Sequence, residues 1–398
     1  MREFIHTFSM TRCFSEQEHL KFKSAYGLKY FFNGDKKREK KKLKFVMSQY
    51  ADDGLKVEVR KREYKEVKYD PLSRPYAATI VITPHKLLTP GKRMGKLENN
   101  TDIQAACRRL INIFSQIKDE SDVNLWKDAE LRRVDITKDV RTPSDLYSTE
   151  IIKASKQAVH TYGYRIFKPE TSDDYNPEWP IEDSALFYNH SQEVEAKIYN
   201  KLHDLEDTEQ KEYSGRGLIR FELTLKRARL KELYHIDGIL LPGGLQGLLC
   251  KITENGSMLL NKYLVQALFP GAMLSRSVLK KYIKRTNMGK EKRIKEMLRY
   301  SSWVTKMDPE YYGLYGTESE IATRKKWFRE SSVSPIYVSS ECPYIPSFSD
   351  LVNGTHDKKL LHFAWSATRR TREDRLRANK GLVTTTDFRY WQQEALST

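Results

Sequence analysis

The chain of 398 residues carries 70 Lys and Arg against 53 Asp and Glu, a formal charge of +17, with 39% hydrophobic and 11% aromatic residues. That is the balance of a globular protein long enough for two or three domains, and its excess positive charge calls for a polyanionic partner, nucleic acid ahead of an anionic membrane. No apolar run nears the length that crosses a bilayer, the N-terminal MREFIHTFSMTRCF has no apolar signal core, and Cys13, Cys107, Cys250 and Cys342 form no CxxC pair. The pattern speaks against a membrane protein and a structural zinc site, and for a reducing cytoplasm.

The first fifty residues give no clear signal apart from the basic run KKREKKKLK at 36–44, which reads as a solvated face. After the turn signal Asp52-Asp53-Gly54, Leu55, Val57 and Val59 alternate with Lys56, Glu58 and Arg60, the period of a half-buried strand. Ala77 to Thr83 is another strand, closed by Pro84, and a loop to Asn100 is expected after it. Capping-box spacing at Thr101 to Gln104 opens a helix whose Ile103, Cys107, Leu110, Ile111, Phe114 and Ile117 face a core. In the next strand, 131–139, Arg133, Asp135, Thr137 and Asp139 share one face and Val134 and Ile136 the other. Thr142-Pro143 starts a helix reaching about His160, with Leu146, Ile151, Ala154 and Ala158 inward, and the acidic, proline-rich stretch 168–183 is a surface connector.

The strand EVEAKIYNK (193–201) places Glu195, Lys197, Tyr199 and Lys201 on one face and Ala196, Ile198 and Asn200 on the other. A phenol with a pKa of about 10 is a poor nucleophile, and flanking ammonium groups favour its phenolate and attract a phosphodiester. Tyr199 is therefore a candidate nucleophile, with Lys197 and Lys201 as its basic neighbours. The same pattern also fits the solvated face of an antiparallel strand. In 217–226, Arg220, Glu222, Thr224 and Lys226 oppose Ile219, Phe221, Leu223 and Leu225.

Beyond Ala228 the pattern is helical, over 259–268, 277–283 and 291–304, the last two with basic outer faces. Capping-box spacing at Thr317 to Glu320 leads a helix bearing Arg324, Lys325 and Arg329, which fits a duplex-reading helix or a solvated bundle helix. A basic tail runs from Trp365 to Arg377. The elements predict an α+β protein with two parts. An antiparallel-sheet catalytic domain with flanking helices occupies 1–230, and a mainly helical, basic DNA-binding region and tail occupy 231–398.

No glycine-rich phosphate loop is present, so an NTP-driven engine is not expected. No His-hydrophobe-His triplet occurs either, and His160, His190, His203 and His235 stand alone, which leaves any metal to carboxylates. Asp135, Asp139 and Glu222 are hard oxygen ligands suited to Mg²⁺ or Mn²⁺. Arg133 and Arg220 are candidate phosphate contacts on the same faces, or partners of Asp135 and Glu222 in partly buried ion pairs.

RRVDITKDV (132–140), YNHSQEVEAKIYNK (188–201) and GLIRFELTLKRARLKEL (217–233) resemble, in order and approximate spacing, the motifs of rolling-circle replication initiators of filamentous phages and plasmids of the gene II/X type. The resemblance covers about Tyr76 to Leu233, reaches faintly into Ser277 to Val338, and leaves residues 1–75 and the tail without a match. It implies a nick at an origin in which Tyr199 attacks a phosphodiester, keeps the 5′-phosphate and frees a 3′-OH, with later rejoining and no ATP. Lys201 falls at the basic neighbour of the nucleophile, and Asp135 and Glu222 at the acids expected to hold metal. Origin DNA, duplex and locally single-stranded, is the implied partner, with a bacterial host's replicative helicase and polymerase acting after the nick. A non-catalytic origin binder or repressor, or a conjugative relaxase of the same chemistry, would use similar strands.

Overall fold

A computed structural model of the chain describes residues 4–25, 29–31, 44–46, 54–62, 64–68, 72–89, 99–116, 129–158, 164–166, 184–189, 191, 193–202, 205, 216–234, 242–307, 311 and 314–378. Strands β1 (Phe4–Phe14), β2 (Lys29–Phe31), β3 (Lys44–Val46), β4 (Leu55–Lys61) and β5 (Tyr76–Ile82) come with helices α1 (Glu16–Ala25), α2 (Tyr64–Lys68), α3 (Pro84–Leu88) and α4 (Asn100–Gln116). Next are β6 (Glu130–Thr142), α5 (Asp145–Ala158), β7 (Tyr164–Ile166), β8 (Ser184–Asn189), β9 (Val194–Asn200) and β10 (Gly217–Lys226). Helices α6 (Arg227–Tyr234), α7 (Pro242–Glu254) and α8 (Gly256–Tyr263) precede β11 (Ala272–Ser275), α9 (Arg276–Thr286), α10 (Glu291–Lys306) and α11 (Glu318–Glu330). Strands β12 (Val333–Val338) and β13 (Tyr344–Ile345) and helices α12 (Phe348–Asn353) and α13 (Lys358–Ala378) complete an α+β fold.

Two compact units form, one from residues 2–137 and 224–256 and the other from 138–223 and 257–398, so that β6 and β10 each contribute to both. In the first unit the strand order is β2-β3-β4-β5-β1-β6-β10. The β4–β5 ladder, Leu55↔Ile82 to Lys61↔Tyr76, buries Val57, Val59, Ala78, Ile80 and Ile82, as their alternation predicts. Just before β4, Gly54 has φ +78 and accepts from Thr83 N at 2.8 Å, and a side chain there would press on Lys86 and Thr83. Helices α3 and α7 rest on β1, and α4 packs on both. The loop expected after Pro84 instead opens with α3, where proline sits at the helix start.

β1 lies between β5 and β6 although its stretch gave no strand signal. Its pairing with β6 shifts register between Ile5 and Thr7 and again between Ser9 and Met10. Each irregularity breaks the alternation a strand shows in sequence, so Phe8, Ser9 and Met10 are all buried in succession.

The second unit has the order β6-β10-β9-β8-β7, with α5 packed against β8, β9, β12 and α10. Its helical part also holds a three-stranded sheet, β12-β11-β13, with β11 parallel to β12 and antiparallel to β13. AMLS in β11 is buried at every position, so no period-2 signal exists to read.

Helix phases differ from expectation in places. Asn99 caps α4 by accepting from Asp102 N at 2.9 Å, in place of the box expected at Thr101. Ile103, Cys107 and Leu110 are buried as expected, but Ile111 is exposed and Ile113 takes the inward position. In α5, Leu146 is exposed and Tyr147 is buried. The box at Thr317 forms in full: Glu320 N donates to Thr317 Oγ1 at 3.3 Å and Thr317 N to Glu320 Oε2 at 2.9 Å. Most of the 36–44 run, the 168–183 connector, Ile117, His160, His190, His203 and His235 lie outside the described residues. Among the described residues no helix is long and apolar enough to cross a membrane.

Candidate active site

Strand β10 is buried on both faces, which turns its polar side from a solvated surface into a set of charges that need partners. Ile219, Phe221, Leu223 and Leu225 are fully enclosed on one side, while Arg220 is 2% and Glu222 6% exposed on the other. Arg220 grips Asp139 with two hydrogen bonds, Nε to Oδ1 at 2.6 Å and Nη2 to Oδ2 at 2.9 Å. The expected pair with Glu222 does not form. Opposed residues on neighbouring strands have Cβ atoms about 4.5–5.5 Å apart, which puts Asp139 within reach of the guanidinium. Burial alone would lower the Arg220 pKa, but the Asp139 carboxylate, with smaller help from Tyr199 and Glu222, raises it above the ordinary guanidinium value.

Because Arg220 is committed to Asp139, Glu222 meets β9 instead. Lys201 N donates to Leu218 O at 2.8 Å, and the antiparallel register continued from this bond sets Tyr199 beside Arg220 and Lys197 beside Glu222. The Tyr199 hydroxyl donates to Glu222 Oε2 at 3.3 Å, and Lys197 Nζ lies 3.6 Å from Glu222 Oε1. Tyr199 is 4% exposed and Lys201 8%, while Lys197 is half-buried. Val194, Ala196 and Ile198 fill the core on the opposite face, as the alternation predicts. The sheet therefore brings together Tyr199, Lys197 and Glu222, with Arg220 and Asp139 beside them.

Two residues that fix this geometry carried no chemical signal in the sequence. Asn200 points away from Tyr199 and donates to Asp145 Oδ1 at 2.7 Å, while its Oδ1 accepts from Leu202 N at 3.1 Å, tying the end of β9 to the first turn of α5. Gly217 opens β10 where a Cβ would collide with Thr142 Oγ1, Ser148 Oγ and, at 2.6 Å, Ser144 O. Thr142 and Ser148 hydroxyls bond each other at 2.9 Å, so the glycine lets β10 close against β6 and α5.

Asp135 belongs to the first unit, where Arg133 grips it at 2.7 and 2.8 Å and Thr224 Oγ1 donates to it at 2.7 Å. The ion pair foreseen for Arg133 and Asp135 thus forms. Among the described residues no three His, Cys, Asp or Glu side chains gather as a metal would require. Both oxygens of Asp135 and both of Asp139 are taken by arginine, and Glu222 faces a lysine and a phenol. As arranged, Asp139 and Glu222 do not fit Mg²⁺ or Mn²⁺ as a ligand pair, and within its own unit Asp135 is held by Arg133 and Thr224.

On α11, Arg324 is bound to Glu296 at 2.8 Å and lies over the Tyr315 ring. Lys325 sits near the Phe269 ring, and burial lowers its pKa. Arg329 is exposed.

No curated protein matches the chain. Among solved structures, the di-domain ARO/CYC StfQ from the steffimycin biosynthetic pathway aligns over 63% of this chain and 94% of that one at 13% identity, with a TM-score of 0.19, too low for a shared fold. Residues 96–239, about a third of the chain, match the Phage_CRI family, described as the N-terminal part of a replication-associated protein. This segment holds Asp135, Asp139, Tyr199, Arg220 and Glu222, and in it the chain is similar to a phage replication initiator.

Proposed function

We propose that this protein starts replication of its replicon by nicking the origin through Tyr199. The observation that carries this is the hydrogen bond from the Tyr199 hydroxyl to Glu222 on a sheet face that also holds Lys197, Lys201 and Arg220. The Tyr199 oxygen attacks phosphorus and passes its proton to Glu222. The bond to the 3′-oxygen breaks, the 5′-phosphate stays on tyrosine, and the departing 3′-oxygen takes a proton from water as the free 3′-OH. Lys197 and Lys201 offset charge growing on the non-bridging oxygens, while Arg220 stays bound to Asp139 and so leaves Glu222 open to the phenol. Reversal of the same steps rejoins the ends, because the phosphotyrosine keeps the bond energy.

Tyr199 is nearly enclosed, so a DNA strand must displace neighbouring groups to reach it. This burial also suits a second reading, an origin-binding protein in which Tyr199 only packs. Incubation with supercoiled DNA carrying the replicon's origin, in Mg²⁺ or Mn²⁺ buffer, followed by denaturing separation and peptide mapping, decides between them. The nickase yields a covalent adduct at Tyr199 that is absent from Tyr199→Phe. No adduct, or one at Tyr188, overturns the assignment.

A further inference from the structure

The stretch from Arg276 to Lys306, which folds as α9, a four-residue turn and α10, contains eleven Lys and Arg but only two acids. α9 alone has five cations and no acid, whereas α11 has four cations and three acids. Charge neutralised within the bundle is unavailable to a ligand, so what each cation touches decides its use. On α10, Arg293 is bound to Glu330 and lies over Trp327, and Arg299 is 3.5 Å from Glu296. On α9, Lys281 donates to the Ala367 carbonyl.

Lys280, Lys284, Lys290 and Lys295 are exposed and form no ion pair among the described residues. Val278, Leu279 and Ile283 on α9, and Ile294 and Met297 on α10, are buried. The apolar sides anchor both helices, and Lys280 and Lys284, one turn apart with a rise of about 6 Å, continue on the outer side of α9 from Arg276, which lies over the Tyr337 ring. A helix built only to stay soluble usually intersperses both signs, and α9 does not.

We propose that the outer face of α9 with the start of α10, and not α11, holds the phosphate backbone of duplex DNA. The proposal rests on the reading that this chain engages origin DNA, and it adds which surface does so. It lies outside the 96–239 segment that matches the replication-associated family.

The test compares the full chain with a Lys280→Gln/Lys284→Gln/Lys295→Gln variant, which removes three exposed charges and leaves a polar side chain at each position. Binding to a duplex oligonucleotide is titrated between about 50 and 200 mM salt. Each lost phosphate contact removes a slope of about 0.9, so three flatten the wild-type dependence by about 2.7, a difference of about 40-fold across that range. A Lys326→Gln/Arg329→Gln variant on α11 should retain nearly the wild-type slope.

An unchanged slope in the α9–α10 variant, an equal loss in the α11 variant, or no duplex binding by the wild type overturns the proposal. So does a slope change seen only on phosphatidylserine vesicles. Adduct formation on a single-stranded oligonucleotide, run in parallel, should be unaffected by the three substitutions. If the wild type forms no adduct, the nicking reading fails while the duplex titration still judges this surface.

Discussion

Glu222 is open to the Tyr199 hydroxyl because a different acid holds Arg220, and in the proposed mechanism it takes the phenolic proton. Glu222→Gln keeps an acceptor for the Tyr199 hydroxyl but cannot take its proton, so adduct formation should fall about 10²–10⁴-fold while single-stranded DNA binding is retained. A rate within a few fold of wild type would remove Glu222 from proton transfer. Asp139→Asn should cost about 3–5 kcal/mol in urea unfolding, because it leaves the enclosed Arg220 guanidinium without its countercharge. Asp139→Leu combined with Arg220→Met should recover most of that loss, and a single variant as stable as wild type would contradict the pairing. All four cysteines are free, and burial pushes the Cys107 thiol up to about 11, with the nearby Cys250 adding to the rise. Iodoacetamide at pH 8 should therefore leave Cys107 unlabelled until the protein is denatured.

Among the elements, β10 depends on its first residue as much as on its polar face. Gly217→Ala places a methyl against Thr142 Oγ1 and Ser148 Oγ, and should lower stability by about 1–3 kcal/mol and slow adduct formation, since β10 carries Glu222. Unchanged stability and rate would show that α5 can yield at that contact. The α11 cap is more local: Thr317→Ala should cost about 1 kcal/mol and fray the first turn, visible as faster amide exchange at Glu318 to Glu320. Its backbone and side-chain hydrogen bonds from Thr317 hold Glu320 below the usual carboxylate pKa. The carboxylate's part of the cap is therefore present above the unfolded pKa and lost as pH falls through the lower folded value, while the bond from Glu320 N to Thr317 Oγ1 does not titrate.

In the whole molecule, β8, β9 and most of β10 belong to one compact unit with the C-terminal helices. Phe269 N donates to Ala158 O at 2.8 Å, Gln157 Nε2 to Thr305 O at 2.6 Å and Ser339 N to Glu150 Oε2 at 2.7 Å, so α5 is bound to residues far along the chain. A fragment of residues 1–230 should therefore leave α5 open to limited proteolysis, and a protease-resistant α5 in that fragment would show that β8 and β9 suffice to hold it.

Sequence by itself determined the α+β class, the β4 and β5 strands, the core side of β9 and β10, the Thr317 cap and the candidate tyrosine, because each rests on a local period or a short-range hydrogen bond. Hidden from it were β1, whose register shifts break the alternation, and β11, buried at every position. Only the tertiary structure decided which acid each cation meets. Arg133 keeps the neighbour two residues away, whereas Arg220 turns across the sheet to Asp139 and leaves Glu222 to Tyr199 and Lys197. It likewise decided that Arg324 and Lys325 lie against bundle side chains while Lys280 and Lys284 stay exposed. Charge can be read from composition, but whether a charge is neutralised depends on what the fold brings within a few ångströms of it.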